Sequence, residues 1–136
     1  MLIFGSEVVA EEVYVVLDAL TAIPIINLSV VPEATALPAA LHYMESGTYE
    51  GAIGQTANSE RIRYVVRFTC KGESSDPIRT AAEAAFTALD GYQAERSGVW
   101  MGFQVSGEWP LTTVLEGGVL YRQLGFFLDV HLTQGG

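Results

Sequence analysis

Cysteine is all but missing from this chain. Cys70 is the only one in 136 residues, so no internal disulfide can form and folding does not require an oxidising compartment. Histidine is nearly as scarce: His42 and His131 are the only two, and no Cys/His cluster has the spacing of a metal site. A phosphate-cradling loop and a dinucleotide fingerprint are absent too. The glycine pairs at 117–118 and 135–136 read as a turn and a chain end. No apolar run is long enough to cross a membrane as a helix. Met1–Phe4 is apolar but lacks a basic flank and a long apolar core, so it is not expected to be a signal peptide.

Charge is sparse and one-sided. Only 17 % of residues are charged, and seven basic residues face sixteen acidic ones, for a formal net charge of −9. That balance argues against a nucleic-acid binder, which needs a basic face large enough to dominate its field. It argues equally against an anionic membrane surface. Apolar residues reach 49 %, a high value for one small domain, which hints at subunit contacts or at a β-rich core. A chain of this length forms a single domain and buries roughly two thirds of its unfolded surface.

Against that background residues 61–71 stand out. Ile62, Tyr64, Val66, Phe68 and Cys70 alternate with Arg61, Arg63, Val65, Arg67, Thr69 and Lys71. A period of two marks a strand with one buried and one wet face. The wet face carries four of the seven basic residues. Such a ribbon either keeps the strand soluble and discourages edge pairing, or meets an acidic partner. In so acidic a protein, that partner can be another copy of the same chain.

The rest of the chain divides at its punctuation. Ser6 and Glu7 suit a helix start, and Val9, Val13, Val16, Leu17 and Leu20 make a helical stripe that ends near Thr21, ahead of Pro24. Between 22 and 38 three prolines interrupt the pattern, with a short edge strand expected at 28–31. A strand is expected at 39–45, then a long loop at 46–60 in which Tyr49 and Ile53 are candidates for burial against a partner. Asp76 and Pro77 open a second helix, whose stripe is Ile78, Ala82, Ala85, Phe86 and Leu89 and whose end is Gly91. Strands follow at 99–106 and 120–133, with Arg122 expected at the sheet edge. The fold class expected is α+β: an antiparallel sheet of about four strands, two helices on one face, order α-β-β-α-β-β.

Candidate chemistry is thin. His42 and His131 fall on separate strands, and the sequence supplies neither with a nucleophile or partner. Glu11 and Glu12 are adjacent and diverge on a helix, so they make no carboxylate pair. Cys70 reads as a small core residue. No catalytic residue, metal site or cofactor is expected. The interaction residues expected are Arg61, Arg63, Arg67, Lys71, Tyr49 and Ile53.

In the order of its elements the chain resembles the tail terminator, or tail-completion, proteins of long-tailed bacteriophages. The matching features are the N-terminal amphipathic helix, the Pro38-led strand, the polar loop, the basic strand 61–71, the Ala-rich run Ala81-Ala-Glu-Ala-Ala-Phe-Thr-Ala-Leu and the strand opening at Tyr121-Arg122. The segment 22–37 departs from the pattern. The resemblance implies a hexameric ring that sits on the last ring of the tail tube, stops its polymerisation and joins the tail to the head connector. It implies no enzymatic activity and a place in the virion after assembly in the host cytoplasm. The partners implied are the chain itself, the tail tube protein and the connector, with DNA only passing through the lumen and no membrane. A head-closure or neck protein of the same connector is one alternative. A small α+β ligand-binding domain or enzyme is another, although few polar residues point inward.

Overall fold

The structure is a computed structural model, and it describes residues 5–28, 36–49 and 59–134. Among the described residues two helices and six strands follow in the order α1 (Gly5–Leu20), β1 (Ile25–Ile26), β2 (Ala39–Tyr49), β3 (Ser59–Lys71), α2 (Asp76–Leu89), β4 (Gln93–Arg96), β5 (Val99–Glu116) and β6 (Val119–Gln134). All six strands form one curled sheet in the order β1-β2-β3-β6-β5-β4. This corrects the expected four-stranded antiparallel sheet of order α-β-β-α-β-β. The sheet is mixed, because β1 runs parallel to β2 through the pairs Ile25↔Ala40 and Ile26↔Leu41.

Both added strands are too short or too polar to show a period. β1 is two residues placed just after Pro24, whose carbonyl accepts the Ala40 amide at 2.8 Å. It lies at 25–26; of the strand expected at 28–31, residues 29–31 lie outside the described residues. β4 reads Gln-Ala-Glu-Arg and is held to β5 by a tight turn in which Ser97 and Gly98 both have positive φ. Such a turn matches the right-handed twist of a hairpin. Of the loop expected at 46–60, residues 46–49 belong to β2 and 59–60 to β3, and 50–58 lie outside the described residues.

The helices share one face of the sheet. From α1 come Val9, Val13 and Leu17, three residues at four-residue spacing that are fully buried, while Leu20 is exposed. The α1 ladder ends with the Thr21 amide on the Leu17 carbonyl, 3.0 Å. From α2 come Ile78, Ala82, Ala85 and Leu89. Ser75 takes the N-cap position, so Asp76 and Pro77 lie within the first turn. Against these residues pack Tyr64, Val66 and Phe68 of β3, Met101 and Phe103 of β5, and Leu128, Val130 and Leu132 of β6. At about 25 cal/mol per Å², burial of side chains this size is the main stabilising term.

The outer face, away from the helices, is not uniformly wet as expected. Val65 and Thr69 are buried there, with Leu41 and Ala39 beside them on β2. Curl is the reason. On β5 the register shifts twice, between Val105 and Gly107 and between Trp109 and Thr112, where Pro110 is accommodated. Bulges of this kind bend and twist a strand. β4 pairs with β5 only along 99–102. Beyond that, bulges and Pro110 make the outer edge of β5 a poor template for a further strand. Leu115, 69 % exposed, stands near the end of this hairpin.

Candidate interaction surface

Side chains from four strands meet on the outer face. Arg63 of β3 lies over the Phe127 ring of β6, 4.3 Å from its centroid. The same guanidinium reaches Glu45 of β2 at 3.7 Å, a pair about half exposed. In solvent such a pair contributes less than about 1 kcal/mol. Arg67 is half-buried between the rings of Trp109 at 5.0 Å and Tyr43 at 5.7 Å. Trp109 in turn packs on Phe127, with centroids 5.7 Å apart. Each cation–aromatic contact of this kind contributes about 0.5–2 kcal/mol, depending on its desolvation.

The four basic residues therefore differ. Arg67 is built into an aromatic cluster. Arg61, Arg63 and Lys71 are exposed. Arg61 stands opposite His131 in the ladder. It shares a shallow depression of about 330 Å³ with Trp100, Gln104, Asp129 and His131. Lys71 closes β3, opposite Tyr121. Tyr49 is the last residue of β2 and pairs with Glu60. Ile53 lies outside the described residues.

A second surface lies on the helix side. α1, β1, β2 and Arg96 of β4 enclose a groove of about 820 Å³. On its floor His42 is 1 % exposed; its Nδ1 is 2.7 Å from the Tyr64 hydroxyl, and its Nε2 is buried with no hydrogen-bond partner. Burial pushes the imidazole down from 6.5 to about 4, so the ring is neutral at pH 7. Burial likewise pushes the Tyr64 phenol up. A ring neutral at pH 7, bonded to a phenol that keeps its proton, is poorly poised for general acid–base work.

Beside the groove, Glu12 ties α1 to the sheet. Its carboxylate accepts a hydrogen bond from the Tyr92 hydroxyl at 2.6 Å and another from Arg96 Nε at 2.9 Å. The bond to Glu12 is the largest cause of the raised Tyr92 pKa, ahead of burial. Adjacent Glu11 instead faces solvent, as the divergence of neighbours on a helix requires.

Two further residues complete the picture. The Cys70 thiol is buried, pushed up by desolvation, and lies 3.4 Å from the Ser74 carbonyl. Arg122 is not at a sheet edge as expected, because β6 lies between β3 and β5; it faces Cys70 on one side and Thr113 on the other. Among the described residues, no three His, Cys, Asp or Glu side chains gather as a metal site, and no helix is long and apolar enough to cross a membrane.

Sequence spacing alone finds the basic ribbon. It does not find Tyr43 and Trp109, which reach Arg67 from β2 and β5. Nor does it find the groove, whose walls come from opposite ends of the strand order. Comparison of the chain with known protein families and with curated proteins finds no match.

Proposed function

We propose that this chain is a structural subunit of a long-tailed phage, a tail-completion protein. It forms a homo-oligomeric ring that caps the tail tube, ends its polymerisation and joins it to the head connector. The observation that carries this reading is the segregation of charge across the sheet. α1 holds four acidic residues, Glu7, Glu11, Glu12 and Asp18, and no basic one. It packs on one face, while β3 presents Arg61, Arg63 and Lys71 on the other. Two unlike surfaces on one chain favour a head-to-tail contact between copies, and such contacts close into rings when the rotation allows. Exposed apolar residues on the long β5–β6 hairpin, Leu111, Val114 and Leu115, supply further contact area for the tube or the connector. The net charge of −9 suits a lumen through which DNA passes without being held. The sequence resemblance supports the same role, with a hexamer as the expected ring. Purified protein added to tail tubes that lack their terminal ring tests it by electron microscopy. A ring-shaped density at one tube end and restored joining to heads are expected. Bare tube ends and no joining contradict the reading.

A further inference from the structure

The groove between α1 and β2 has the character of a socket. Tyr14, Val15 and Met44 line it, and each is left 44 to 47 % exposed. Glu7 and Glu11 line it as well and are exposed. Among the described residues of the lining the one cation is Arg96, held by Glu12 at 2.9 Å and 3.9 Å from Glu11. On the floor the Nε2 of His42 has no hydrogen-bond partner, although the residue is almost wholly buried. Buried polar atoms are nearly always paired. The groove thus offers apolar walls, an acidic lining and an unsatisfied polar group. Its occupant must bring an apolar body and a cationic head.

The outer face of the same chain presents that combination. Trp100 is 41 % exposed and lines the same depression as Arg61. Tryptophan and arginine are the residue types that most often dominate contact energy between proteins. Asp129 lines the same depression and stands opposite Arg63 in the ladder. Arg61 and Trp100 face away from the helices, whereas the groove lies on the helix side. The sheet separates the two, so one chain cannot join its own halves.

Resting on the ring reading above, we infer that the α1–β2 groove is the socket for a second copy's Arg61–Trp100 patch. The indole sits against Tyr14, Val15 and Met44, and the guanidinium meets Glu7 and Glu11. Each copy gives one patch and receives another, which is a heterologous contact.

Charge exchange tests this. The parent, R61E, W100A and the double variant E7K/E11K are compared for mass in solution over a wide concentration range. All the substituted residues are exposed, so near-parent melting curves are expected and serve as the control for folding. The parent should assemble, each variant should need at least about tenfold more protein to do so, and high salt should weaken the parent. Mixing R61E with E7K/E11K should restore assembly, because every junction is then either the native pair or its charge-reversed equivalent. Variants that assemble like the parent overturn this contact and leave the ring reading standing. Folded variants that fail alone and stay apart when mixed overturn it as well. A parent that is monomeric throughout also overturns it, and the groove then serves another occupant. The tail reading is judged separately by the tube experiment.

Discussion

Arg67 and Trp109 meet across Gly125. The glycine on β6 is the ladder partner of Arg67 on one side and of Trp109 on the other. With no side chain between them, the guanidinium and the indole approach to 5.0 Å. β3 and β6 also come unusually close here. A Cβ on Gly125 would collide with the Val66 carbonyl oxygen and lie 2.8 Å from the Arg67 Cα. Because these are backbone atoms, no rotamer change relieves the clash.

Gly125→Ala should therefore destabilise the fold by about 1–3 kcal/mol, the usual range for an overpacked interior. Urea unfolding measures it. A variant as stable as the parent would show that the strands can part at this point without loss.

Arg67 and Arg61 should separate in their effects. Removing Arg67 takes a cation from between two rings, and Arg67→Ala should lower stability by about 1–2 kcal/mol. Arg61→Ala, at an exposed position, should stay within about 0.5 kcal/mol of the parent. Denaturant midpoints for the two variants check the order. Equal losses would mean that the outer-face cluster contributes nothing specific.

Glu12 should matter more than its neighbour. It is buried and accepts from both Tyr92 and Arg96, residues 80 and 84 positions away. Glu12→Ala leaves a phenol and a guanidinium without their acceptor. A loss of about 1–3 kcal/mol follows, moderated because Arg96 is partly open to water. Glu11→Ala should cost under about 1 kcal/mol. Thermal melts of the two variants compare them directly.

His42 makes the fold acid-sensitive. Its imidazole protonates near 4 in the fold but near 6.5 in the open chain. Between those values the unfolded state binds more protons, so stability falls as pH is lowered through that window, by up to about 3 kcal/mol. At pH 7 the effect is absent. His42→Gln removes the titration and can keep a partner for the Tyr64 hydroxyl. The difference in unfolding free energy between parent and variant, followed from pH 7 to pH 4, should change by that amount. Parallel profiles would contradict the assignment.

The sequence revealed most where one face of an element is buried and the other is not. In β3 the alternation of Ile62, Tyr64, Val66, Phe68 and Cys70 is visible in one dimension, and those five residues do enter the core. In α2 the spacing of Ile78, Ala82, Ala85 and Leu89 works the same way, whereas Phe86, expected in the same stripe, is left 43 % exposed. β1 and β4 were not legible, since two residues after a proline and a run of Gln-Ala-Glu-Arg carry no period. Nor was the far half of β5, where residues 110–116 are all exposed and burial writes no pattern. Curl could not be read at all. Tyr43 reaches Arg67 diagonally from β2 and Trp109 reaches it across Gly125 of β6, pairings that spacing along one strand does not show. Spacing therefore gave four like cations, where the structure has one clasped arginine and three exposed residues.

Assembly is the centre of this account, and mass in solution tests it most directly. The protein should be weighed alone at rising concentration, then with purified tail tubes. The 14.7 kDa chain is expected to form a closed ring of fixed copy number, six by the family resemblance, either free or on the tube end. A species that stays monomeric under both conditions and leaves the tubes unbound would contradict it.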